Sequence, residues 1–214
     1  MLNFPAWTNN VRKLLPPLAG GGVLYLVVLV WYGASPKTTD VGYAPEQPVP
    51  FSHALHSGQL GVNCLYCHAS AEKAAHSSVP TTETCMNCHA RIKTKSPLLQ
   101  PVRDSWANET PIKWVNVHDL PDFVYFNHSA HVSRGVGCVS CHGRVDTMER
   151  IQQVSPLSMG WCLNCHRDPA PHLRPVEFVT DMAWEPPEDA RVYGARLQEI
   201  NNIKPRDECS SCHR

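Results

Sequence analysis

Five copies of one pentapeptide constrain this chain more than anything else in it: Cys64-Leu-Tyr-Cys67-His68, Cys85-Met-Asn-Cys88-His89, Cys138-Val-Ser-Cys141-His142, Cys162-Leu-Asn-Cys165-His166 and Cys209-Ser-Ser-Cys212-His213. Each reads CxxCH, the pattern that attaches a c-type haem: two thiols form thioethers with the vinyl groups and the next imidazole becomes an axial iron ligand. All ten cysteines are used this way. Zinc ribbons would need two CxxC pairs per metal and no trailing histidine. Redox disulfides of the CxxC type occur singly and have no use for the histidine either. With 12 histidines in 214 residues, the chance of one following all five pairs by accident is roughly one in a million, whereas haem attachment demands it. The expected cofactors are five covalently bound c-type haems.

A chain built around five porphyrins needs little core of its own. Much of its apolar content lies in one N-terminal run, and the 19 prolines keep interrupting regular structure. Short haem-bearing helices and little else are expected. The formal net charge is zero, which gives no indication of nucleic acid as a partner. Two propionates on each of five haems would add about ten negative charges, offset in part by nearby Arg and Lys.

No charged residue occurs between Leu14 and Pro36, and residues 23–32 read VLYLVVLVWY. That length spans a bilayer and exceeds the core of most signal peptides. Pro16 and Pro17 suit a first helical turn, Gly20, Gly21 and Gly22 leave a smooth patch for another membrane helix, and Trp31 and Tyr32 suit the far interface. Arg12 and Lys13 just before the span put residues 1–13 in the cytoplasm and the haem sites on the other side of a bacterial inner membrane. A cleaved signal peptide is the alternative, with Gly33-Ala34-Ser35 as its cleavage site and Pro36 directly after.

Beyond the anchor (14–36) and an extended stalk (37–50), a motif repeats. Phe51-Ser-His53-Ala-Leu-His56 leading to Gly61-Val62-Asn63-Cys64 matches Phe126-Asn-His128-Ser-Ala-His131 leading to Gly135-Val136-Gly137-Cys138. A duplication explains this. It predicts two dihaem modules, 51–95 and 126–170, a linker at 96–125, and a C-terminal segment, 171–214, carrying the fifth site. Within the linker, Ser96-Pro97 should open a helix toward Trp106, and residues 112–117 read as a strand. A helix is expected from Pro187 to about Ile200, with Val192, Tyr193, Leu197 and Ile200 near one face.

FxHxxH resembles the motif of class III multihaem cytochromes, whose two histidines lie three residues apart on one helix and serve different irons. That resemblance implies His53 as distal ligand at Cys64 and Cys67, and His128 at Cys138 and Cys141. His56 and His131 would serve neighbouring haems, those at Cys85 and Cys162. With His68, His89, His142, His166 and His213 these make nine axial ligands. The tenth falls to Met159 at the haem of Cys209 and Cys212, with Met148, His118 and His172 as alternatives. Met159 could equally be a core residue beside Trp161. His76 is expected to face solvent, and His118 could instead bond a propionate.

The whole pattern resembles the pentahaem cytochrome subunit of alternative complex III, a bacterial quinol-oxidising complex. The most similar stretches are Trp114 to Gly143 and Met159-Gly-Trp-Cys-Leu-Asn-Cys-His166. This resemblance implies a multihaem cytochrome c fold with one transmembrane helix. Its implied partners are an iron-sulfur and molybdopterin-like subunit, polytopic quinol-binding subunits, a monohaem cytochrome c and a soluble electron acceptor. The expected role is that of an electron carrier and not a catalytic subunit: electrons pass from quinol to a periplasmic acceptor or terminal oxidase. Two rivals are a stand-alone membrane-anchored quinol dehydrogenase and a multihaem oxyanion reductase. The latter would need an open iron position with proton-handling groups nearby.

Overall fold

A computed structural model describes residues 4–33 and 40–213. They form two separate units, one ending at Asp40 and the other running from Val41 onward. The first is a single helix, α1 (Thr8–Gly33), none of whose apolar window is buried within the protein. A 26-residue helix whose stretch from Leu14 onward is uncharged and uncovered is what a bilayer would solvate. It begins six residues before Leu14, so Pro16 and Pro17 fall inside it and not in its first turn. The polar residues Thr8 to Asn10 supply that turn instead, with Thr8 Oγ1 donating to Pro5 O at 2.7 Å. The stretch 34–36 and residues 37–39 of the stalk lie outside the described residues, as does the Arg12 side chain.

The second unit carries eight short helices among its described residues: α2 (Cys64–Cys67), α3 (Thr82–His89), α4 (Gln100–Ala107), α5 (His128–Val132), α6 (Val139–His142), α7 (Met159–Arg167), α8 (Ala190–Ile200) and α9 (Cys209–Cys212). Every CxxCH motif lies on or against one of them, in α2, α3, α6, α7 and α9. No strand forms among the described residues; the only β-type pairings are the isolated bridges of Val124 with His213 and of Val136 with Leu173. Among the described residues the buried apolar ones are Val49, Val102, Val132, Ala170, Leu173, Val179 and Ile203, and no large side chain is fully buried. Such a sparse interior fits a chain that wraps cofactors.

Residues 112–117, expected as a strand, are irregular and pair with no strand: Trp114 N donates to Ile112 O at 3.0 Å in a tight turn, and Val117 lies in a bend. The Gln47 side chain takes a strand's place: its Nε2 donates to Val115 O and its Oε1 accepts from Val115 N, both at 2.9 Å. Residues 41–50, expected as part of an extended stalk, instead leave a turn at Gly42 (φ +84°) and run irregularly along the domain. Gly42 N donates to Gln153 O, Gln153 N to Tyr43 O, and Val49 is buried.

Helix α8 starts at Ala190, three residues after Pro187, because Asp189 caps it by accepting from Arg191 N and Val192 N. Its inward face centres on Gly194, not on Val192 and Ile200, which are both exposed. A Cβ at Gly194 would collide with Ala170 O, so only glycine lets the helix seat on the turn Ala170–His172. In the linker, a 3₁₀ turn (Pro97–Leu99) leads into α4, and Ser96 holds the N-cap position without a side-chain bond.

Candidate functional site

Both copies of FxHxxH build the same device. In the second, Asn127 caps α5 by accepting from Ala130 N at 3.3 Å, and His128 and His131 lie within the helix. In the first, the turn opens into a π-helix (Ala54–Gln59) with His53 at its N-cap. The extra residue per turn widens the first turn without moving the rings. Phe51 meets His53 edge-on at 4.8 Å and stacks on His56 at 4.3 Å; Phe126 meets His128 at 4.8 Å and stacks on His131 at 4.5 Å. The phenylalanine of the motif is thus a wedge that holds the two imidazoles apart. After each pair the chain turns back through a glycine with positive φ, Gly61 at +66° and Gly135 at +78°.

The histidines of this device face those of the CxxCH motifs. Ring centres lie 6.2 Å apart for His56 and His89, 6.5 Å for His128 and His142, and 6.0 Å for His131 and His166. Two imidazoles on opposite sides of one iron, each bonded at about 2 Å with about 1 Å more from nitrogen to ring centre, would stand about 6 Å apart. The residues present therefore fit haem iron held between paired histidines. His53 lies within electrostatic range of His68. His213 has Phe123 beside its ring at 5.7 Å.

Seven of these nine rings are oriented by the same kind of bond. Nδ1 donates to a backbone carbonyl in His56 (Ser52, 2.8 Å), His68 (Ser78, 3.1 Å), His89 (Ile92, 3.1 Å), His128 (Ala75, 2.9 Å), His131 (Asn127, 2.8 Å), His166 (Arg206, 2.5 Å) and His213 (Phe123, 3.2 Å). A proton fixed on Nδ1 leaves the Nε2 lone pair free for a metal, the usual arrangement of a ligating histidine.

Charge follows the same logic. Burial, then the neighbouring His118, His128, His68 and His53, pushes His142 down to about 3. Burial, with His68 and His56, pushes His53 down to about 4, and burial also lowers His131. These rings are neutral at ordinary pH, as an axial ligand must be. The thiols move the opposite way: burial raises Cys141 to about 12 and Cys138 to about 11, and also raises Cys64, Cys67, Cys85, Cys162 and Cys165. No group of three or more His, Cys, Asp or Glu converges as a metal site among the described residues.

The four candidates for a tenth ligand are spread apart. Met148 accepts from Ala54 N through its backbone, beside the first FxHxxH turn. His118 packs edge-on against His142 at 4.5 Å, with its buried Nε2 unpartnered. His172 ends the turn against α8. Met159 opens α7 and is 60% exposed, so it is not packed in a core beside Trp161. It shares α7 with Cys162, which lies within electrostatic range of Cys212. His76 is exposed. Sequence reasoning missed Arg174, a buried guanidinium lying against Gly137, just before Cys138; nothing in Pro171-His-Leu-Arg174-Pro distinguishes it from a surface arginine.

Residues 124–214 match the family model described as cytochrome c7 and related cytochrome c. Over 98 residues the chain is 33% identical to the multihaem cytochrome c subunit of menaquinone reductase from Nitratidesulfovibrio vulgaris, a match covering 45% of this chain and 46% of that protein. The chain thus spans about half the length of the curated relative it matches. The second unit thus carries a multihaem cytochrome c domain of mostly short helices, and one N-terminal helix is long and apolar enough to cross a membrane.

Proposed function

We propose that this multihaem cytochrome c is the electron-relay subunit of a membrane quinone-linked complex, carrying five c-type haems between the quinone-active subunits and a periplasmic acceptor or terminal oxidase. The observation that carries the proposal is the set of facing imidazoles 6.0–6.5 Å apart. At those three pairs a haem iron would be held from both sides by protein imidazoles and would have no place for a small oxyanion, which argues against the reductase alternative there. Haem would supply one-electron chemistry; the chain supplies oriented imidazoles and proximity. Roughly 36 residues beyond the span serve each attachment site, far below the usual domain size, so the sites crowd together.

The proposed ligand pairs are His53 with His68, His56 with His89, His128 with His142 and His131 with His166, and Met159 with His213. Met159 is favoured because Met148 and His118 lie at other sites, whereas α7 approaches the last motif. The proposed domain plan keeps the two dihaem modules and the C-terminal fifth site. The alternative-complex-III assignment and its partner set, iron-sulfur/molybdopterin-like, polytopic quinol-binding and monohaem subunits, rest on the sequence resemblance. The positive-inside pattern supports a cytoplasmic N-terminus and a periplasmic haem unit.

Spectroelectrochemical titration with low-temperature EPR tests this reading. Five low-spin six-coordinate haems are expected, one of them with thioether ligation and the highest potential. Met159→Leu should lower or abolish that potential. A high-spin ferric signal that binds nitrite, or fewer than five haems per chain, would overturn the proposal. A second reading reverses the flow: the relative is named as part of a menaquinone reductase, so electrons here could run toward quinone. Quinol-driven reduction of the haems in the assembled complex favours the first direction; acceptor-driven quinone reduction favours the second. Quinol oxidation by the purified chain would instead indicate a stand-alone dehydrogenase.

A further inference from the structure

We infer that the five attachment sites are strung in the spatial order second, first, third, fourth, fifth, with the two duplicated modules joined head to head through the dipeptide Val179-Thr180. The inference rests on the relay reading above and adds to it which sites are neighbours and which are ends. Sites are numbered here as their motifs occur along the chain.

The first and second sites are neighbours because one Phe51 wedge spaces His53 from His56, and His56 faces His89. Asn87 Nδ2, inside the second motif, also donates to Tyr66 Oη inside the first at 3.0 Å. By the same device, Phe126 spaces His128 from His131 and makes the third and fourth sites neighbours. The fourth and fifth are tied by the residues leading into the last motif: His166 Nδ1 donates to Arg206 O at 2.5 Å, and Arg167 Nε lies 3.8 Å from Asp207.

What joins the two modules decides the order. If the wire followed the chain, the second site would meet the third. The contacts connect the first to the third instead. Cys138 N donates to Val179 O at 2.9 Å, while the Cys64 thiol lies 3.8 Å from Thr180 O and Asn63 Nδ2 donates to Thr180 Oγ1 at 3.3 Å. Two consecutive residues thus hold the first cysteine of both motifs. Ala75, in the loop that follows His68, accepts from both the backbone N and the Nδ1 of His128 at 3.0 and 2.9 Å. The ring facing the third attachment histidine is therefore aimed by the loop leaving the first. The second site, by contrast, lies on α3, whose packing partner is α4, with Thr82 Oγ1 2.6 Å from Ser105 Oγ. Helix α4 carries no attachment motif, so the second site ends the row.

Each transfer along this row moves one electron from a reduced iron to its oxidised neighbour, with no bond or proton changed. Redox partners then meet the chain at its second and fifth sites, and the first site is an interior link despite coming first in sequence.

The test uses the full loaded chain: iron positions from anomalous diffraction at the iron edge, or from a cryo-EM map of the complex. The first-site iron should have the second- and third-site irons as its two nearest neighbours. A second-site iron lying between the first and third would overturn the order. Failure of the relay reading itself would be seen separately, as fewer than five irons. In solution, His56→Met should raise the potential of the second-site haem and shift the site-resolved NMR titration of the first-site haem, leaving the third unmoved. A shift at the third with none at the first would also overturn the order.

Discussion

Arg174 is 9% exposed and forms no salt bridge among the described residues; its Nη1 donates to the backbone carbonyls of Asp181 at 2.7 Å and Phe178 at 3.4 Å, and its guanidinium lies over Trp184 at 5.0 Å. Burial lowers its affinity for the proton, with Cys138 and Asp181 acting in the opposite sense, yet an arginine keeps its charge. A fixed positive charge beside the third attachment motif disfavours the oxidised iron. Arg174→Gln should therefore lower one haem potential by on the order of 50 mV, and Arg174→Lys should retain most of it, as read by spectroelectrochemical titration. Asp146 offers a pH test of the contact between modules, because its backbone carbonyl abuts Gly58 of the first module. The hydrogen bond from Arg144 holds its carboxyl below the usual value, against a smaller opposing effect of burial. With the folded value depressed, its contribution is present above the unfolded value of about 3.9 and is lost as pH falls through the folded one. Wild type should melt above Asp146→Asn at pH 6, and the gap should close on acidification toward pH 2.

At the scale of elements, the most informative piece is an irregular segment that never became a strand. Residues 112–117 have the right composition, but the partner that the Val115 backbone found is one side chain 68 positions away. Gln47→Ala should leave Val115 N and O without partners and cost about 1–3 kcal/mol, measured as a lowered thermal midpoint of the holoprotein with unchanged haem spectra. A loss of haem signal would mean that the segment shapes a haem pocket directly. The same contrast explains what was legible beforehand. CxxCH and FxHxxH are local codes whose spacing dictates chemistry, so the attachment motifs, the duplication and the wedge residue's position stand out in the sequence. The seat of α8 does not: apolar periodicity points to Val192 and Ile200, whereas contact with Ala170 is set by the missing side chain at Gly194. Nor does the link between Cys64 and Cys138, which runs through residues more than 100 positions from the first of them.

At the scale of the molecule, the second unit has too few buried apolar side chains to offset the conformational entropy of ordering about 170 residues. The modules interlock, with Ala54 N donating to Met148 O and His128 to Ala75 O, so neither has a private core to fall back on. Aromatic and aliphatic side chains such as Leu55, Leu60, Tyr66 and Tyr125 are exposed around the attachment motifs, where porphyrin faces would cover them. Stability should therefore depend on cofactor loading. Expressed without haem ligation, the chain should show little cooperative melting, rapid proteolysis beyond Asp40 and near-complete amide exchange. The loaded protein should protect the amides of α5, α6 and α7 most strongly, because these helices carry ligands from both sides of the proposed third and fourth sites. A cysteine-free variant that melted cooperatively near the holoprotein's midpoint would show that the protein alone supplies the fold, and the thin interior would then need another explanation.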